Sequence, residues 1–115
     1  MEPLKVEITV DATLNESSID DYGYEPEVVA GFKRMKRKHP LWGWCDIEVI
    51  AKIGNLEASA YLSACSYKSE EDFRQEGGDF NDLKDEALDY LERNICKAEE
   101  TIAAYREQYP KKETP

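Results

Sequence analysis

Residues 44–65 read WCDIEVIAKIGNLEASAYLSAC and predict a β-hairpin in which 44–53 pairs with 56–65. Gly54-Asn55 suits a two-residue turn with glycine first, and apolar residues alternate with polar ones on both sides of it. When residues are paired outward from this turn, one face carries only apolar residues and cysteine, with Cys45 opposite Ala64. Because a slip of one residue would mix the two faces, the hydrophobic pattern specifies this register.

Shorter signals on either side of the hairpin predict the other elements. Pro26 and Pro40 delimit the first helix, because proline is tolerated in a first helical turn and disfavours a helix before it. Ser69 and Asp72 are typical of a capping box, and Gly77-Gly78 then interrupts the chain. The predicted elements are a strand at 4–10, a loop at 11–24, a helix at 26–38, a short helix at 70–75 and a long helix at 79–110.

This order of elements predicts an α+β fold, β-α-β-β-α. We expect a three-stranded, mainly antiparallel sheet with the helices packed on one face and a long C-terminal helix. One domain would cover 1–110, followed by a polar tail at 111–115. The first strand is expected beside the third, because the helix after it would allow a right-handed crossover. The alternative places the first strand beside the second.

The long helix is predicted to outreach the sheet. Its apolar residues recur at steps of three and four, which is typical of a helix with one buried face. A helix of this length spans ~45 Å, whereas a ten-residue strand spans ~33 Å at most. Ile102, Tyr105 and Tyr109 would then form an apolar strip beyond the sheet. We therefore expect this end of the helix to self-associate into a homodimer.

The composition restricts the classes of partner. The chain has 115 residues, with 25 Asp and Glu against 15 Lys and Arg, for a net charge of -10. Such a charge argues against direct binding of nucleic acid or of an anionic membrane. We find no secretion signal and no membrane-spanning stretch in the sequence. Three cysteines without a C-x-x-C pair are typical of reduced thiols, so a cytoplasmic location is expected.

The residue types that carry catalysis or bind metals are sparse. His39 is the single histidine, and the predicted hairpin register places Cys45 and Cys65 on opposite faces. That register argues against a disulfide between them and against a zinc site with Cys96. No phosphate-binding glycine loop or nucleophile motif is found in the sequence. We therefore expect no catalytic residue, no metal and no cofactor.

Acidic residues are concentrated around the long helix. Residues 69–92 hold ten acids and two bases, and residues 11–27 hold six acids and no base. The acids either solubilise the surface or form a phosphate-like array that faces a cationic groove of a partner. The basic run at 33–38 is either a complement to its helix C-terminus or a second contact. The acidic residues expected to bind a partner are Asp72, Glu76, Asp79, Asp82, Asp85, Glu86 and Asp89.

An aromatic patch is the second candidate surface. Trp44 and Tyr61 fall on the hairpin face that points away from the predicted helices. If nothing covers this face, the two rings form a patch suited to a protein partner. Alternatively, residues 11–24 fold over the face through Tyr22 and Tyr24.

Several short motifs resemble a group of small phage and prophage accessory proteins. The motifs are Trp42-Gly43-Trp44-Cys45, the run YLSACSY at 61–67, Glu71-Asp72-Phe73 and Gly77-Gly78. The resemblance implies a phage or prophage origin and carries no catalytic residue. Small acidic phage proteins of this kind resemble antagonists of host defence, such as anti-CRISPR or anti-restriction proteins.

These observations together predict a non-enzymatic binding protein. We expect it to act in the cytoplasm of a bacterial host and to inhibit a host protein, for example one that binds nucleic acid. The acidic helix face would mimic nucleic acid in that contact. The alternative is a homodimeric structural or assembly module, joined through the C-terminal helix or the aromatic sheet face.

Overall fold

The computed structural model describes residues 3–75 and 78–110. The elements in chain order are β1 (Glu7–Leu14), a 3₁₀ helix (Ile19–Tyr22), α1 (Pro26–Lys38), β2 (Cys45–Ile53), β3 (Leu56–Cys65), α2 (Glu70–Gln75) and α3 (Asp79–Gln108). The predicted α+β fold is confirmed, with a three-stranded antiparallel sheet and a long C-terminal helix. Glu76, Gly77 and the predicted tail at 111–115 lie outside the described residues. In the described part of the chain, no helix combines the length and apolar character that a bilayer crossing requires.

The central strand of the sheet is β2. The strand order is β1-β2-β3, and β2 is antiparallel to both neighbours. The expected pairing of the first strand with the third is therefore wrong, and the alternative beside the second strand is right. The reason is that Leu14, the last residue of β1, pairs with Cys45, the first residue of β2. The connection therefore returns to the end of the sheet that it left, and no crossover is needed.

The first strand lies further along the chain than predicted. It covers 7–14 instead of 4–10, with Ile8, Val10 and Ala12 packed against the core. Leu4 and Val6 precede this strand and are exposed. Pairing with a neighbouring strand therefore outweighs the turn preference of the polar residues after Val10.

The core lies between the sheet and the two C-terminal helices. The inner face of β2 is fully covered, and Val49 and Ala51 have no exposed surface. Leu83, Ala87 and Leu91 of α3 pack against this face. From Ile47 to Leu62 the hairpin has the predicted register, and Gly54 forms the turn with a φ of +56°. The predicted bounds of α1 and α2 are also confirmed.

The helix α1 lies at one end of the sheet rather than along its face. It packs against the 3₁₀ helix and against Trp44, whose ring centroid is 5.4 Å from that of Phe32. The end of α1 lies so close to Gly43 that a Cβ on this residue would be 2.2 Å from the Met35 carbonyl oxygen. Only glycine fits there, so Gly43 permits this helix end to lie against the start of β2.

A bulge at the open end of the hairpin changes the predicted register. Ile47 pairs with Leu62, but Cys45 pairs with Cys65 instead of Ala64. Ala64 takes up the extra residue with a φ of 54°, in the left-handed region that residues with a Cβ seldom occupy. The prediction that the two cysteines lie on opposite faces is therefore wrong. Their Sγ atoms are 3.9 Å apart.

The carboxylate of Asp46 holds this bulge in place. Asp46 Oδ1 accepts hydrogen bonds from the Ala64 N–H and from Asn15 Nδ2, both at 2.9 Å. Asn15 is buried, and its own side-chain oxygen accepts the Ser17 N–H at 2.7 Å. The indole of Trp44 donates to the Ser17 carbonyl at 3.0 Å. One carboxylate therefore connects the bulge, the loop after β1 and the buried tryptophan.

Removal of the Asp46 carboxylate should destabilise the protein. Asp46→Ala leaves the Ala64 N–H and the Asn15 amide without an acceptor, which should cost about 1–3 kcal/mol in the free energy of unfolding. Urea denaturation measures this change. Asp11→Ala removes an exposed acid from the same sheet face and should change stability by less than about 0.5 kcal/mol. Equal stabilities of the two variants would show that Asp46 does not hold the bulge.

The cysteine pair should close to a disulfide under oxidation. In a Cys96→Ser variant, diamide should accept two electrons and two protons from Cys45 and Cys65, because their sulfur atoms already face each other across the strands. The product should be a single chain with an internal disulfide and no free thiol, which mass spectrometry after alkylation detects. If the two thiols remain reduced while the protein stays folded, the cross-strand pairing is wrong.

Candidate interaction surface

Four of the predicted acidic residues form one stripe along α3. Asp82, Asp85, Glu86 and Asp89 follow one another at steps of three and four residues, and all four are exposed. At 3.6 residues per turn this spacing places them on the side of the helix opposite Leu83, Ala87 and Leu91. The sheet therefore holds the helix by one side and presents the carboxylates on the other. We call these four residues the acidic stripe.

The density of charge along α3 is close to that of a nucleic acid strand. Six acids lie from Asp79 to Glu92, at about one per 3.5 Å of helix axis, given a rise of ~1.5 Å per residue. One strand of B-DNA presents a phosphate about every 3.4 Å. Lys84, the base within this segment, points toward the Phe80 ring, with its Nζ 5.7 Å from the centroid. Its ammonium therefore lies beside the stripe instead of neutralising its centre.

Some acids of the stripe have partners within the chain. Glu86 accepts the Tyr90 hydroxyl at 2.9 Å, and Asp89 forms an ion pair with Arg93 at 2.9 Å. Both interactions lie in solvent, and such exposed pairs hold their side chains only weakly. The carboxylates of Asp82 and Asp85 form no hydrogen bond or ion pair with any residue in 3–75 or 78–110. The two free carboxylates therefore lie at the start of the stripe.

The remaining predicted acids lie apart from the stripe. Asp72 lies on α2, where its carboxylate accepts the Lys68 N–H at 2.8 Å and its N–H donates to Ser69 Oγ at 3.2 Å. Ser69 therefore caps α2 as the motif predicts, whereas the Asp72 carboxylate binds the N–H of Lys68 instead of that of Ser69. Asp79 accepts the hydroxyl of Tyr67. Glu76 lies outside the described residues, so the structure does not place it relative to the others.

The expected exposed patch around Trp44 is wrong. Trp44 has no exposed surface, and Tyr22 covers it edge-on with ring centroids 5.3 Å apart. The alternative, in which residues 11–24 fold over the tryptophan, is right for this residue. Tyr61 remains 68% exposed and donates a 2.6 Å hydrogen bond to Glu48. Trp44 therefore cannot contact a partner without unfolding, whereas Tyr61 can.

The outer face of the sheet carries a second acidic surface that sequence reasoning missed. The register places Asp11 directly opposite Glu48, and Tyr61 lies on the other side of Glu48. Asp46, two residues before Glu48, lies on the same face, since side chains two apart share a face of a strand. This cluster was missed because residues 11–14 were predicted to be a loop. The alternation of Thr9, Asp11 and Thr13 was the signal that could have found it.

A cluster of cations lies on α1, at the end of the sheet away from the hairpin turn. The helix α1 carries the basic run at 33–38, and Lys33 pairs with Asp20 at 3.0 Å. Beside it lies a groove of about 470 Å³ that Arg34, Lys38 and Ser66 help to line. His39 ends this helix and its backbone N–H donates to the Met35 carbonyl, as expected for a helix-end residue. Within the described residues, no group of three or more His, Cys, Asp or Glu is arranged to hold a metal ion.

Comparisons with protein-family models, with curated proteins and with solved structures find no match to this chain. The function is therefore inferred from the surface of the chain itself.

Tyr67 should make stability depend on alkaline pH. Burial, and next its hydrogen bond to the Asp79 carboxylate, raises the pKa of Tyr67 above the ordinary value of about 10. The protonated hydroxyl stabilises the folded state below pH ~10, and this stabilisation is lost as the pH rises further. Tyr67→Phe should lower the free energy of unfolding by about 1 kcal/mol at pH 7. The difference in the free energy of unfolding between this variant and the parent protein should narrow above pH ~10.

Denaturant titrations at several pH values test this prediction. Tyr24→Phe is the control, because the Tyr24 hydroxyl forms no hydrogen bond with a described residue. A gap that stays constant from pH 7 to pH ~11 would contradict the role given to the Tyr67 hydroxyl.

Proposed function

We propose that this chain is a non-enzymatic inhibitor that binds a nucleic-acid-binding protein through the acidic face of α3. The observation that carries the proposal is the acidic stripe, a row of exposed carboxylates on a long helix at nearly the phosphate spacing of one DNA strand. A protein with a cationic groove offers Lys and Arg side chains at that spacing. The stripe would occupy the groove in place of the nucleic acid.

The setting of the stripe supports this function. The helix is anchored to the sheet through Leu83, Ala87 and Leu91, so that the carboxylates are presented on a rigid support. Fixed charges lose little conformational entropy when a partner binds them. The net charge of -10 also accelerates association with a cationic partner through long-range attraction. These features favour binding to a basic protein surface over a solubilising role alone.

The biological setting of the proposal follows from the resemblance to phage accessory proteins. A phage or prophage protein with an acidic face would act in the cytoplasm of the bacterial host, against a defence protein of the anti-CRISPR or anti-restriction target class. Neither a cofactor nor a catalytic residue takes part in this function. Inhibition would arise from occupancy of the groove alone.

A second candidate is a homodimeric structural module. The observation that favours it is the exposure of Ile102, Tyr105 and Tyr109, which are 59%, 53% and 61% exposed on the part of α3 beyond the sheet. Large apolar side chains in a row on a helix are typical of a surface that another protein covers. This role does not exclude the first, since the acidic stripe lies on another side of the helix.

Neutralisation of the stripe should slow association with the partner without unfolding the protein. The test variant combines Asp82→Asn, Asp85→Asn, Glu86→Gln and Asp89→Asn, none of which lies in the core. The immobilised parent chain is used to capture proteins from a nuclease-treated bacterial lysate, and captured proteins are assayed for displacement of a fluorescent DNA duplex. We expect the variant to associate about tenfold or more slowly with the captured protein, because charges at the rim act mainly on the association rate.

A matched control removes the same charge elsewhere. Glu7→Gln, Asp11→Asn, Glu16→Gln and Glu57→Gln also change the net charge by four, but none of these residues belongs to α3 or to the acidic stripe. This control should retain most of the association rate. Parent binding should weaken as salt reduces the Debye length from ~30 Å at 0.01 M to ~8 Å at 0.15 M. If the stripe variant stays folded and binds as fast as the control, the proposed function is wrong.

A further inference from the structure

The free end of α3 has the sequence pattern of one helix of a coiled coil. Within the sheet-bound part, apolar residues form a broad face, and from Ile95 onward a single apolar line continues at steps of three and four. The resulting seam consists of Ile95, Ala98, Ile102, Tyr105 and Tyr109. A repeat of 3.5 residues is the pattern by which two helices pack along each other. In the heptad notation abcdefg, Ile102 and Tyr109 occupy position a and Tyr105 occupies position d.

The structure shows where this seam loses its cover. Asn94 donates to the Glu57 carbonyl at 3.2 Å, so α3 passes the hairpin turn at this point. Ala98 is half-buried, and every residue from 99 to 110 is exposed. The molecule measures 72 × 30 × 20 Å, and its radius of gyration is 20.2 Å. A compact chain of this length has a radius of gyration of about 13 Å, so the helix end projects far into solvent.

We propose that two copies of this chain associate through an antiparallel coiled coil formed by residues 98–109 of α3. This inference rests on the second candidate function above and is independent of the acidic stripe. In this pairing Ile102 packs against Tyr105 of the second copy, and Ala98 packs against Tyr109 of the second copy. Each layer opposes a smaller side chain to a tyrosine, so that the seam fills without two tyrosines in one layer.

Charge complementarity selects this register. Glu99 and Arg106 occupy e positions beside the seam, and in an antiparallel pair e positions face e positions. The proposed register brings Glu99 opposite Arg106 of the second copy, and the twofold axis repeats this pair. A shift of one heptad in either direction would bring Glu99 opposite Glu99, or Arg106 opposite Arg106. Both shifted registers are therefore disfavoured.

The dimensions of the free end agree with this arrangement. Eleven residue steps separate Ala98 from Tyr109, which is ~17 Å of helix. When two free ends lie side by side, each Tyr109 reaches the point where the other helix leaves its sheet. The contact is short, so it belongs at the small end of specific interfaces and should have a dissociation constant of about 1–100 μM. The acidic stripes stay uncovered on the opposite side of each helix.

Sedimentation equilibrium of the complete chain tests the proposal. Reducing agent is present throughout, because Cys96 is exposed and could otherwise cross-link two copies. We expect a reversible equilibrium between the 13.2 kDa monomer and a species of twice that mass. Ile102→Glu should abolish the dimer. Ala103→Glu adds the same charge one residue away, outside the seam, and should preserve it.

Charge exchange tests the orientation of the two helices. Glu99→Arg alone or Arg106→Glu alone should weaken the dimer about tenfold, because each places like charges opposite each other. The double variant Glu99→Arg/Arg106→Glu should restore it. In a parallel pair, Glu99 would face uncharged g positions, so the single exchanges would have little effect.

Each outcome decides the proposal. Restoration by the double variant, together with loss in Ile102→Glu, supports it. A monomer at concentrations up to about 500 μM would overturn it, as would a dimer that Ile102→Glu leaves intact. A dimer that depends on Ile102 but is indifferent to the charge exchanges would overturn the antiparallel register. Circular dichroism confirms that every variant is folded, which is expected because all substituted residues lie beyond the sheet.

Discussion

The arrangement of this protein depends on the carboxylate of Asp46. A residue with a Cβ at a φ of 54° is unfavourable, so Ala64 keeps its bulged conformation only while its N–H is held. Asp46 supplies that acceptor and binds the buried Asn15 with the same oxygen atom. The bulge then turns Cys65 toward Cys45, and Asn15 fixes the loop whose Ser17 carbonyl receives the Trp44 indole. The packing of α1 on Trp44 follows from this set of hydrogen bonds.

The second constraint is the unequal length of the sheet and its covering helix. The strands of the hairpin have nine and ten residues, whereas α3 has thirty. A helix rises ~1.5 Å per residue and a strand ~3.3 Å, so about twenty helical residues suffice to cover these strands. The surplus turns carry the same apolar line into solvent. The molecule is therefore elongated, with the basic run of α1 at one end and an uncovered apolar seam at the other.

These constraints separate the surfaces of the molecule by chemistry. The side of α3 that faces the sheet is apolar and continues as the seam, and the side that faces away is acidic. Because the two sides do not overlap, a contact on one leaves the other accessible. A dimer through the seam would present two acidic stripes, and binding of two charged sites in one target strengthens the whole contact when the geometry matches. The proposed function and the proposed dimer are therefore compatible, although each can fail without the other.

The sequence by itself determined the elements whose signals are local. Pro26 and Pro40 delimited α1, Gly54-Asn55 placed the hairpin turn, and the steps of three and four along α3 identified its buried line. The same periodicity located the acidic stripe, because residues opposite a buried line must face solvent. These patterns depend on backbone geometry that repeats every few residues, so they can be interpreted without knowledge of the neighbours.

Only the tertiary structure decided what depends on partners distant in the chain. Asp11 and Leu14 have weak strand signals and became part of β1 because β2 offers them a pairing partner. Trp44 was buried by Tyr22 and Phe32, which lie on elements that a local pattern cannot place beside it. The pairing of Cys45 with Cys65 required a bulge, and that bulge depends on a hydrogen bond between residues eighteen positions apart. Alternation assumes a regular strand, and a single carboxylate with the right reach is enough to break that regularity.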